Sequence, residues 1–187
     1  MRTHRSLTRF TSLLIALFLS PALLAEEVFT FDTVSDGRGF DGQINAPSAS
    51  GDVFLKTASR TAVQEDNGRI FLYLKNQNKP DDAVLPLSAT LNVVDRDGNA
   101  LDFTVSSLKW RSVHGKATLV GMRDGKEVWR LDDTFNQIDP IQTVNTATEG
   151  EMSKPVDALV WEFKTYVNGT FGSAIDDLQI EVASSGD

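Results

Sequence analysis

Cysteine is absent from all 187 residues. Disulfides, thiolate metal sites, iron–sulfur clusters and cysteine nucleophiles are therefore excluded together, since each needs a thiol. Histidine is nearly as scarce, with only His4 and His114. Zinc sites built on several imidazoles are out of reach. A Ser-His-Asp hydrolase would depend on His114 alone, and the chain has no Gly-x-Ser-x-Gly turn to present the nucleophile. His114 stands before Gly115, where an exposed residue at a strand end is the simpler reading. Basic charge is also short, with 18 Lys+Arg against 26 Asp+Glu and a net charge of −8. That balance argues against a nucleic-acid role, which needs a surplus of cations to meet phosphates. Phosphate-cradling motifs are missing as well: there is neither a Gly-x-x-x-x-Gly-Lys-Ser/Thr loop nor a Gly-x-Gly-x-x-Gly that follows a strand. The glycine-rich run Gly37-Arg38-Gly39-Phe40-Asp41-Gly42 leads into no helix and reads as a loop or bulge.

No apolar run reaches the roughly 20 residues that span a bilayer. The longest, from Ser12 to Leu19, is followed by Pro21. Before it stand Arg2, Arg5 and Arg9 with no acid, and after it Pro21-Ala22-Leu23-Leu24-Ala25 leads to Glu26-Glu27. A basic head, a short apolar centre and a small residue at the end form a secretory signal peptide, with cleavage expected after Ala25. An uncleaved membrane anchor is the competing reading. The mature chain, with no membrane span, is expected to be secreted or periplasmic. With no cysteine after the cleavage region, a bacterial lipoprotein anchor is ruled out. Removing residues 1–25 takes away three arginines and no acid, leaving 15 basic against 26 acidic side chains. Such acidity favours solubility and cation binding and disfavours polyanionic ligands.

The rest of the chain is rich in Val, Ile and Thr and punctuated by turn dipeptides. Asp36-Gly37, Asp41-Gly42, Asn67-Gly68, Asp97-Gly98, Asp124-Gly125 and Asn168-Gly169 recur between short alternating runs. This is the pattern of strands joined by tight turns. Two hairpins are expected. A turn at 97–98 would pair Val94 with Leu101 and Asn92 with Phe103. A turn at 124–125 would pair Val120 with Trp129 and Thr118 with Leu131. Further strands are expected at 27–32, 52–57, 69–75, 107–113, 158–167 and 174–182. Residues 55–65 have room for one short helix, and 132–157 read as a long connection with one strand near 141–146. One domain over 26–182 follows, with a frayed tail at 183–187.

Candidate chemistry is sparse. Carboxylates are plentiful, but no spacing selects the pair a glycoside hydrolase needs, so an enzyme is the less favoured reading. Asp95-Arg96-Asp97-Gly98-Asn99 has the look of a calcium loop without the twelve-residue spacing or closing Glu, and reads as a turn. Asp176-Asp177 is different. Adjacent acids in a strand point to opposite faces, so one must face inward and find a partner. A metal ion, a charge partner or a strand-edge position would each serve. Among the tryptophans, Trp161 alternates with Leu159 and Phe163, and Trp129 with Leu131, so both read as core. Trp110, between Lys109 and Arg111, is the one candidate for an exposed platform against a sugar ring, with core as the competing reading.

The segment Asn168-Gly169-Thr170-Phe171-Gly172-Ser173-Ala174-Ile175-Asp176-Asp177-Leu178-Gln179-Ile180 resembles the last strand of extracellular jelly-roll domains of the carbohydrate-binding-module and lectin-like type. Asp157-Ala158-Leu159-Val160-Trp161-Glu162-Phe163 is similar to their penultimate strand. The resemblance implies an all-β protein, a single antiparallel β-sandwich of jelly-roll type. It also implies a structural Ca2+ shared by Asp176 or Asp177 and an oxygen ligand near the domain start, here Asp32 in Val28-Phe29-Thr30-Phe31-Asp32. The expected function is noncatalytic binding of a polysaccharide or glycan. The rivals are a structural or adhesive envelope protein with extracellular protein partners, and a small polysaccharide hydrolase or lyase.

Overall fold

The computed structural model describes residues 24–32, 34, 44–58, 61–66, 69–75, 87–112, 115–132, 142–145, 150–165 and 172–183. These residues build twelve strands and one short 3-10 turn, Gly150–Ser153. Six strands form one sheet: β1 (Leu24–Phe29), β4 (Thr61–Asp66), β5 (Arg69–Lys75), β7 (Phe103–Ser112), β10 (Gln142–Asn145) and β12 (Gly172–Ala183). The other six form a second: β2 (Ile44–Pro47), β3 (Val53–Ala58), β6 (Leu87–Asp95), β8 (Gly115–Arg123), β9 (Lys126–Asp132) and β11 (Ala158–Thr165). Every paired strand is antiparallel.

From β5 onward the pairing is nested. β5 pairs with β12, β6 with β11, β7 with β10 and β8 with β9, and successive pairs alternate between the sheets. A long antiparallel ribbon wrapped in this way is a jelly roll, so the all-β sandwich expected from the sequence is observed. The two inner faces interdigitate as alternation demands. Leu91, Leu159, Trp161 and Phe163 come from one sheet and Leu72, Leu108, Trp110 and Ile180 from the other, all buried in a single core. Ser173 ties the layers together. Its Oγ accepts the indole N–H of Trp110 at 2.7 Å and that of Trp161 at 3.2 Å, and donates to the Arg111 carbonyl at 3.0 Å. Two large aromatics from opposite sheets thus satisfy their polar atoms on one hydroxyl, which is the condition for burying them.

Three sequence expectations need correction. The Asp97-Gly98 turn forms, with Gly98 at φ 88° and its N–H on the Asp95 carbonyl, but it makes no hairpin. After the single bridge Val94–Ala100 the chain crosses to the other sheet, so β6 and β7 belong to different layers. The Asp124-Gly125 hairpin does form, shifted by one residue. Trp129 lies opposite Gly121 and Leu131 opposite Leu119, because the register shifts between Gly121 and Met122, where Val128 of β9 has no partner in the ladder. The shift has a steric cause: a Cβ on Gly121 would come within 2.2 Å of the Trp129 ring, so the ring needs a glycine opposite it. Residues 55–65 contain no helix among those described. Val53, Leu55 and Thr57 alternate inward in β3, and β4 follows.

Candidate functional site

The centre of the first sheet is β12, and its course is interrupted at the Asp176-Asp177 pair. Up to Ile175 its neighbours are β5 on one edge and β7 on the other; from Leu178 onward β1 replaces β5. Between these partners the β7 register slips, and Asp177 takes φ 44°, a left-handed backbone that aspartate tolerates better than most residues. The slip is a β-bulge, and bulges re-aim side chains. Here it gives two adjacent acids different surroundings without turning one into the apolar core. Asp177 meets the Lys109 ammonium in an ion pair whose side chains are about a third exposed. Its N–H donates to Asp176 Oδ1 at 2.8 Å.

Asp176 is only 6% exposed. Burial pushes its carboxyl up to about 6, the negative charges of Asp177 and Asp32 push the same way, and the Asp177 N–H and Lys109 oppose them. Around this acid the neighbouring positions on the same face of β7 and β12 are polar apart from the buried Ala174. Lys109 is in register with Asp176, and Arg111 with Ala174. Ser107 donates its hydroxyl to Gln179 Oε1 at 2.5 Å. On the β5 side, the backbone of Tyr73 is in register with Ala174. The result is a strip of carboxylate, ammonium, amide and hydroxyl groups along one face, fixed by cross-strand pairing. Such a strip offers donors and acceptors side by side, as a ligand bearing many hydroxyls requires.

Asp32 follows Phe31, which holds φ 63°. Asp32 lies near enough to Asp176 for its charge to act on that carboxyl, and Asp177 is adjacent in the chain. They do not converge as a metal cage: Asp177 is occupied by Lys109, and among the described residues no three His, Asp or Glu groups are placed to hold an ion. Of the two readings of Trp110, the structure shows core and not an exposed platform. This residue is 1% exposed, facing the opposite sheet with its N–H on Ser173, so no ring face meets solvent. His114 and the Gly37–Gly42 run lie outside the described residues. Asp95 spends both carboxylate oxygens on Asn99, at 2.8 Å each, which closes the turn.

Sequence reasoning missed Lys109, Ser107 and Gln179 as members of the strip. The signal was present, because an inward Trp110 forces Lys109 and Arg111 outward by alternation. What could not be read was the partner strand, more than sixty residues away.

No family model and no curated protein matches the chain. Among solved structures, it is similar to a mutant of a family 29 carbohydrate-binding module, described in a study of ligand recognition. The identity is 12% and the TM-score 0.39, over 85% of this chain and 92% of that one. The jelly-roll assignment stands on the nested strand pairing of this chain itself. No helix among the described residues is long and apolar enough to cross a membrane.

Proposed function

We propose that this is an exported, noncatalytic carbohydrate-binding domain, and that the polar strip on the outer face of the first sheet is its glycan contact. One observation carries the reading: the half-buried Lys109, Asp177, Ser107 and Gln179 stand together on the outer face of β7 and β12, oriented by their own pairs and by the buried Asp176 behind them. Groups held in place before a ligand arrives lose little entropy on binding, which suits the modest energies of sugar recognition. Localisation outside the cytoplasm is supported by the basic, apolar and small-residue order of residues 1–25. We also propose a structural calcium at the Asp176 end of the strip. The charge of Asp32 acting on Asp176 supports an ion held between them, and melts in calcium and in chelator test for it.

The deciding experiment is a glycan-array screen of the purified protein in calcium and in chelator, repeated with Lys109→Ala and Gln179→Ala. Expected is binding to a defined set of glycans, weakened at least tenfold by either substitution while the melting curve stays cooperative. Binding that ignores both substitutions moves the site elsewhere. Failure to bind any glycan, alongside capture of an extracellular protein by the same face, favours the adhesive reading.

A further inference from the structure

We infer that the Ala25–Glu26 peptide bond is a processing site gated by folding: it is cut in the unfolded chain and protected once the jelly roll has formed. The inference rests on reading residues 1–25 as an export signal. Its structural basis is that the expected scissile bond lies inside a strand, not in a linker before one.

β1 starts at Leu24, ahead of that bond. Leu24 is in register with Ala183, Ala25 with Val182 and Glu26 with Glu181, so the bond is flanked on both sides by rungs of the β12 ladder. Ala25 packs against the hydrophobic core. The residues just beyond the bond are held more firmly still. Glu27 is buried, and its Oε2 accepts the Ser50 hydroxyl at 2.7 Å. The Val28 carbonyl accepts the Ala49 N–H at 2.8 Å, and Phe29 is fully buried. Thus β1 is fastened on one edge to β12 and at its far end to the turn preceding β3.

A protease binds its substrate as an extended segment of several residues, with backbone groups free to pair in the cleft. Here the backbone groups on the β12 side of the segment are committed to the ladder. Fraying the first two rungs costs little, but exposing residues on both sides of the bond means drawing Glu27, Val28 and Phe29 out of their contacts as well. Cleavage of the folded protein is therefore limited by a sub-global opening, whereas the unfolded chain presents the bond freely.

The test uses three substrates and one purified signal peptidase with small-residue specificity. The first is a synthetic peptide of residues 12–35, the second the folded 187-residue chain, and the third the same chain carrying Trp161→Asp, which places a charge in the core and prevents folding without denaturant. Expected are cleavage of the peptide and of the unfolded variant at Ala25–Glu26 at similar rates, and cleavage of the folded chain at least tenfold slower. Equal rates for the folded and unfolded chains overturn the gate while leaving the export signal intact. A peptide that is not cut at this bond removes the export-signal reading itself.

Discussion

Replacing Asp176 by Asn tests the electrostatic account of the strip most directly. Asn has the size of a protonated aspartic acid and keeps an oxygen to accept the Asp177 N–H, so it copies the neutral state and removes the charge. The Asp176 carboxyl sits at about 6 in the folded protein against 3.8 for the free side chain. A folded-state value above the unfolded one means that the native state holds the proton more tightly between those two limits. Stability is then fully present below about pH 4 and is lost as the pH rises through 6. At 1.36 kcal/mol for each pH unit separating the two values, the wild type gives up about 2–3 kcal/mol across that window. For a chain of this size that is roughly 5–10 °C in melting temperature. The assay is a series of thermal melts from pH 4.5 to 8 in the presence of chelator, on wild type and Asp176→Asn. The wild-type melting temperature should fall from the acid end of the series to about pH 6 and level off above it, while the variant stays flatter and ends above the wild type at pH 8. Parallel curves would refute the reasoning, since they would mean that Asp176 is as well solvated folded as unfolded.

Other expectations follow from the core and the surface. Ser173→Ala leaves the Trp110 and Trp161 N–H groups buried without their shared acceptor, and should cost about 2–4 kcal/mol in urea denaturation. Gly121→Ala drives a methyl group into the Trp129 ring. A loss of about 2–3 kcal/mol, or loss of the cooperative transition, together with an altered near-ultraviolet circular dichroism spectrum, checks the register of β8 and β9. Arg123→Ala breaks an exposed 2.8 Å pair with Asp102 and should change stability by less than about 1 kcal/mol, which serves as a control for surface substitutions.

The sequence disclosed alternation far better than it disclosed partners. Leu159, Trp161 and Phe163 announced a buried face because each lies two residues from the next, and period two needs no tertiary information. The turn at Asp124-Gly125 was equally legible, with both residues at positive φ. The turn at Asp97-Gly98 has the same chemistry, yet its flanking strands part into opposite sheets. A tight turn fixes only the reversal of the chain, while the layer that the next strand joins is decided by contacts with β12 and Val156. The same limit applies to the strip. An adjacent pair of acids marked β12 as unusual, but its cation, Lys109, is supplied by a strand whose neighbour in sequence order lies in the other sheet.

The nested pairing of the strands has a consequence for how the chain reaches this state. Leu72 meets Ile175, Phe29 meets Leu178 and Val105 meets Ile180, so the last strand is the central member of its sheet and its partners are all made long before it. Until residues 172–183 are available, β1, β5 and β7 have no common neighbour and their edges stay open. Pairings so distant along the chain close slowly, because loop entropy is lost before any contact rewards it. Open edges in the interval are sites of association between chains. A chain ending before Gly172 is therefore expected to yield no smaller stable sandwich, only aggregation-prone material. The first sheet of a nascent chain thus stays unassembled until residues 172–183 have been made.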